Sequence, residues 1–101
     1  MEMTILAIIS QSGDARSSCM EAIRYAKMND YEKAEKCMEE AEQKLELAHK
    51  EQTKLIQAEA GGERIELSLL LIHAQDHLMN AGVVMDMARE FIDLYRKASI
   101  K

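Results

Sequence analysis

Proline and tryptophan are missing altogether, glycine occurs four times, and three Tyr and one Phe are the only aromatic residues in 101 positions. A chain this poor in strand and turn formers, and dominated by Ala, Leu, Met, Glu and Lys, has the makeup of a helix bundle and not of a sheet protein. Its length suits one domain, residues 1–101, and is too short for two full cores. Long hydrophobic runs are absent too. No stretch reaches the about eighteen consecutive apolar residues of a membrane span, and no basic segment followed by an apolar run opens the chain, so neither a span nor a secretory signal is present. The expected location is the cytoplasm. Basic residues are outnumbered, 13 against 18 acidic for a net charge of −5, and they form no continuous stripe. Nucleic acid is therefore excluded as an expected partner. Cysteine is scarce: Cys19 and Cys37 are not in metal-ligand spacing, and each lies among helix-forming residues, which predicts buried, reduced and inert thiols. What is abundant is hydrophobic content, 48%, with eight Met to make the packing adaptable.

Two places break the helical pattern, Lys27-Met28-Asn29-Asp30 and Ala60-Gly61-Gly62, and they divide the chain into three helices. Asn29 followed three residues later by Glu32 resembles a capping box, which starts the second helix near Asp30. Gly61-Gly62 offers the positive φ that a helix end favours, and Glu63 then falls in the first turn of the third helix. The first helix carries a seam at Ile5, Ile8, Ser12, Ala15, Cys19, Ala22 and Ala26. The second carries one at Tyr31, Ala34, Met38, Ala41, Leu45, Ala48, Gln52 and Leu55. Alternating steps of three and four are the spacing of long helices packed at a shallow angle, and short connections make neighbours antiparallel. The expected fold is all-α, an up-down-up antiparallel three-helix bundle.

The third helix has more apolar surface than a single small bundle can cover. At about 100° per residue, Ser68, Gln75, Gly82, Asp86, Arg89, Asp93 and Arg96 fall on one polar strip, while nearly every other position is apolar. Leu67, Leu71, Leu78 and Met85 point away from Leu69, Ile72, Met79 and Val83, so a second buried flank implies self-association. Within that apolar helix lies the run His73-Ala74-Gln75-Asp76-His77. Burying such groups without partners costs roughly 2–7 kcal/mol for each neutral one and more for a charge, so they are paired, metal-bound or part of a site. Asp76 falls in the middle of the seam of Ile65, Leu69, Ile72, Met79, Val83 and Met87, with no Lys or Arg within a turn on the same helix. Pairing with a base on another helix, a shared proton, or a hard divalent cation between symmetry-related copies would each compensate it.

His73 and His77, four apart, share a face beside that seam. An i,i+4 His pair with a nearby carboxylate can hold zinc, although Ala74 stands where zinc-protease helices have Glu. Alternatively a neutral imidazole nitrogen attacks phosphorus and the second His stabilises the added charge. His49, alone on the second helix, reads as a surface or structural residue.

Leu71-Ile72-His73-Ala74-Gln75-Asp76-His77-Leu78-Met79, with Ser12-Gly13-Asp14-Ala15-Arg16-Ser17 and Ala48-His49-Lys50-Glu51-Gln52-Thr53-Lys54-Leu55-Ile56, resembles the lactose/cellobiose-type IIA component of the bacterial phosphoenolpyruvate-dependent sugar phosphotransferase system. The resemblance covers nearly the whole chain. It implies a homotrimer, a nine-helix bundle, whose subunits accept a phosphoryl group from the histidine-containing phosphocarrier protein and pass it to a cysteine of the cognate IIB component. By motif position His73 is the phosphorylated nucleophile, His77 assists it and Gln75 is a further candidate to assist. Asp76 meets its symmetry mates at a divalent metal, taken as one structural Mg2+ per trimer. Ala74 favours the cellobiose or diacetylchitobiose type over lactose, where glycine is usual. Departures are modest: Asn80-Ala81-Gly82 replaces a Thr-containing continuation, and the chain begins almost at the first helix. The resemblance also implies that this component never touches the sugar. Two other readings stay open, a non-catalytic oligomeric helical module and a zinc-dependent hydrolase.

Overall fold

The structure, a computed structural model, describes residues 1–99 and consists of three helices: α1 (Glu2–Lys27), α2 (Tyr31–Ala60) and α3 (Leu69–Ser99). They form a rod of 57 × 19 × 18 Å. Among the described residues no helix is long and apolar enough to cross a membrane.

Helix α1 is the centre of the bundle and packs along both α2 and α3, whereas α2 and α3 meet sparingly. The first-helix seam is buried as its spacing predicts: Ile5, Ile8, Ser12, Ala15, Cys19, Ala22 and Ala26 all lie in the core. Two apolar clusters fix the directions of the helices. In one, Cys19, Ala22 and Ala26 meet Ala34, Met38 and Ala41 of α2 and Met85, Ala88 and Ile92 of α3. In the other, Ile5 and Ile8 meet Ala48 and Leu55 of α2 and Leu71, Ala74 and Leu78 of α3. Rising numbers on α1 thus match falling numbers on α2 and rising numbers on α3. The order is up-down-up, and the many alanines let α1 approach both neighbours closely.

The two turns differ from their sequence-level expectation. Asp30, not Asn29, caps α2, its carboxylate accepting from the Lys33 N–H at 3.2 Å. Asn29 instead takes φ +61°, a conformation that Asn tolerates better than most residues, and ends the preceding helix. Helix α3 does not resume at Glu63. Gly62 turns the chain at φ +94°, residues 63–68 run without regular structure, and Ser68 caps α3, its hydroxyl accepting from the Leu71 N–H at 3.1 Å. Glu63 and the exposed Leu67 consequently lie outside the helix.

Mid-helix Gly82 is not required by close packing within the chain, since a Cβ there would meet nothing within 4 Å. Gly82→Ala is expected to raise stability by about 0.5–1 kcal/mol, read as a higher urea midpoint at unchanged m-value.

Both cysteines are buried and free. Burial pushes the Cys19 thiol up from 9.0 to about 11; the Arg89 guanidinium pulls it down and the Glu42 carboxylate adds to the rise. Burial, then Glu21 and Glu40, raise Cys37 as well. Because the folded Cys19 thiol holds its proton more tightly than the unfolded one, its contribution to stability is complete below pH 9.0 and falls away as pH rises toward 11. Denaturant titrations should show that loss, on the order of 2 kcal/mol, in the wild type and a shallower one in Cys19→Ala.

Candidate functional site

Helix α3 presents three sides besides its core face, and the polar run His73–His77 is divided among them. The core face is Leu71, Ala74, Leu78, Ala81, Met85, Ala88 and Ile92. Gln75 lies on the flank toward α2, half-buried, and accepts a hydrogen bond from Gln52 Nε2 at 2.8 Å. The sequence places Gln75 toward solvent; the packing of α2 covers it instead. Farther along the same flank, Arg89 pairs with Glu42 at 2.6 Å and Arg96 with Glu35 at 3.1 Å. The polar strip of α3 therefore holds α2 by side-chain bridges where apolar contact is thin, each exposed pair contributing at most about 1 kcal/mol.

His73 and His77 lie on the opposite flank. Their Nε2 atoms are 3.1 Å apart, with ring centroids separated by 4.4 Å and planes at 86°. In a hydrogen bond between them one ring donates an N–H and the other accepts, and the tautomers set which does which. His73 is exposed and His77 half-buried, so the first is open to an incoming partner and the second is held behind it. The helical repeat brings this about: residues four apart stack on one face with no intervening backbone to strain.

Asp76 projects outward between those flanks. It stands in an apolar stripe whose members are largely bare: Leu69 is 83% exposed, Ile72 58%, Met79 70% and Val83 62%. Its Oδ2 accepts from Asn80 Nδ2 at 3.4 Å, a long and weak contact, and in the single chain the carboxylate is exposed. No basic side chain of the described residues pairs with it. A cleft of about 480 Å³ follows the stripe on the α2 side, lined by Leu55, Ile56, Ile65, Ile72, Asp76 and Met79 among others. Among the described residues of one chain, no three His, Cys, Asp or Glu side chains come together as a metal site. The imidazole pair and Asp76 face different ways, so the zinc arrangement that the spacing permits is not assembled. His49 is exposed on α2.

The site thus couples an accessible imidazole, backed by a second imidazole, to an exposed apolar stripe bordered by an open cleft. Such a surface accepts a group delivered by another macromolecule. The comparisons agree with this reading. The family described as "PTS system, Lactose/Cellobiose specific IIA subunit" matches residues 3–96. The lichenan-specific phosphotransferase enzyme IIA component of Bacillus subtilis is 56% identical over 97 residues, which span 96% of this chain and 88% of that protein. The crystal structure of the cellobiose-specific enzyme IIA from Bacillus anthracis superposes with a TM-score of 0.97 at 50% identity, covering 99% of this chain and 92% of the other. The chitobiose IIA in its solution complex with HPr, from Escherichia coli, gives 0.84 at 37% identity, covering 97% and 95%. Sequence and fold agree across essentially the entire length, and the chain therefore belongs to the lactose/cellobiose-specific IIA subunits, the phosphoryl-carrying components of the sugar phosphotransferase system.

Proposed function

We propose that His73 receives a phosphoryl group from the histidine-containing phosphocarrier protein and yields it to a cysteine of a cognate IIB component. The observation that carries this reading is the His73–His77 pair, open on one flank of α3. The chitobiose IIA is described as a complex with HPr, which supports the same donor here. His77 reaches only Nε2 of His73, so it can assist only a phosphoryl group carried on Nε2. In the acceptor state His77 donates its N–H and leaves the His73 Nε2 lone pair free to attack once the two rings part. A new P–N bond forms there while the donor's P–N bond breaks, its electron pair remaining on the donor nitrogen. The freed His77 N–H then turns to a phosphoryl oxygen, and positioning with charge stabilisation suffices for such transfers. Transfer onward repeats the exchange with a thiolate sulfur as the attacking atom. The sugar transported is of the β-linked disaccharide class, with the cellobiose type favoured over lactose by Ala74 and by the lichenan- and cellobiose-specific relatives.

The bare α3 stripe supports assembly into a homotrimer. Three copies of Asp76 meeting on one axis would offer only carboxylate oxygens, the donor set a hard cation such as Mg2+ accepts. The ion would neutralise repulsion between the three carboxylates, and no step of transfer passes through it.

Incubation with the phosphocarrier protein, its kinase and phosphoenolpyruvate should add one acid-labile phosphate per subunit, which subsequent addition of a IIB component removes. A chain that remains unlabelled under those conditions would refute the reading.

A further inference from the structure

The phosphoryl group brought to His73 carries about two negative charges, and the neighbourhood on α3 is poor in compensation for them. From Leu69 to Ala88 that helix has no Lys or Arg, and it places the Asp76 carboxylate three residues from His73. A cation must come from elsewhere if the added charge is to be held by more than one imidazole N–H. The parallel alignment of α1 with α3 supplies one. Arg16 of α1 lines, together with His77, Asn80, Val83 and Val84, a cavity of about 380 Å³ between the two helices. Among the described residues Arg16 has no carboxylate within ion-pair distance, although Asp14 on the same helix is drawn to Lys44 at 3.9 Å. It is exposed, and its guanidinium is a planar fork that fits two phosphoryl oxygens at once.

We infer that Arg16 is a catalytic residue of the phosphotransfer, its guanidinium reaching over His77 to bind the phosphoryl oxygens on His73 during arrival and departure. The wall of the cavity suits the task. His77 supplies an N–H donor, Asn80 an amide that can turn from Asp76 toward the added charge, and Val83 and Val84 an apolar edge. Arg16 forms no bond to phosphorus; it lowers the cost of charge as the P–N bonds exchange. This inference rests on His73 being the acceptor.

The test compares wild type, Arg16→Lys and Arg16→Gln in phosphorylation by the phosphocarrier protein, followed by ³¹P titration of each phosphorylated product. Arg16→Gln should accept phosphate about tenfold to hundredfold more slowly, and Arg16→Lys should recover part of the rate. The phosphoryl resonance of Arg16→Gln should titrate at higher pH than that of the wild type, because the dianion has lost its cation. A structural role would not move that titration. Equal rates, or a slower rate with an unchanged titration curve, overturn the inference and leave His73 as acceptor. A wild type that takes up no phosphate removes the acceptor itself, and the role of Arg16 with it.

Discussion

His73→Ala is expected to lose phosphate incorporation completely while keeping its helical content, and His77→Ala is expected to keep incorporation at a rate reduced by about tenfold to a thousandfold. The difference follows from position. His73 is exposed on α3 and buries nothing in the core, so alanine, the strongest helix former, leaves the bundle intact and removes only the nucleophile. His77 contributes one donor to the charge that develops on phosphorus, and removing a single such donor has effects of that size. Its loss also frees the His73 Nε2 lone pair from the 3.1 Å contact, which offsets a little of the penalty. Acid-labile labelling with ³²P reads both variants. Equal labelling of His73→Ala and wild type would overturn the assignment, and labelling abolished only in His77→Ala would move the nucleophile one turn along the helix. A purely architectural role for the cluster predicts instead that His73→Gln leaves sugar uptake unchanged, a result incompatible with a phosphorylated His73.

The parts of this fold that were readable in the sequence are those where a single spacing rule decides the outcome. Every seam residue of α1 is buried, because the central helix must offer one narrow apolar line to two neighbours and its small side chains leave no second choice. The seam of α2 was less legible: Ala34, Met38, Ala41, Ala48 and Leu55 are buried as the spacing predicts, whereas Tyr31, Leu45 and Gln52 are only half-buried, because α2 packs closely on α1 alone. The start of α3 was not legible. Leu69 to Ile72 is an apolar run whichever way it is folded, and what sets the boundary is the Ser68 hydroxyl on the Leu71 N–H, an interaction with no period. Asn29 and Asp30 posed a similar problem: both are good caps, and only the backbone φ of Asn29 shows which of them turns the chain.

At the site, the helical repeat was enough to pair His73 with His77 and to place Asp76 among Leu69, Ile72, Met79 and Val83. Gln75 was misjudged because a wheel drawn for one helix contains no information about the neighbour that covers it, here Gln52 of α2. Arg16 stood in a quoted stretch of α1 without a role for the same reason. Sixty residues separate it from His77 in the chain, roughly, and only the parallel docking of α1 on α3 through alanine-rich clusters brings them to one cavity.

The second large effect concerns the outward stripe of α3, where two substitutions a few residues apart should act in opposite directions on assembly. In the proposed trimer Val83, 62% exposed in the single chain, becomes part of a dry contact, and Val83→Glu would bury an unpaired carboxylate in each subunit. Such charges cost several kcal/mol apiece, more than the roughly 1.5–3 kcal/mol gained by burying an apolar side chain. Light scattering at micromolar concentration should therefore find three times the 11.5 kDa chain mass for the wild type and a single chain mass for Val83→Glu. Asp76→Leu removes a charge from the same stripe, and apolar replacement of buried ionic groups is often neutral or stabilising by about 1–4 kcal/mol. Its assembly should persist to equal or higher denaturant concentration and lose any response to added Mg2+ or to chelator. A monomeric wild type would refute the interface, because an apolar line with Asp76 at its centre would then serve no contact between copies. A trimer lost on Asp76→Leu would mean that the carboxylate makes a specific pairing across the subunit contact, and a cation that only relieves repulsion would then not account for it.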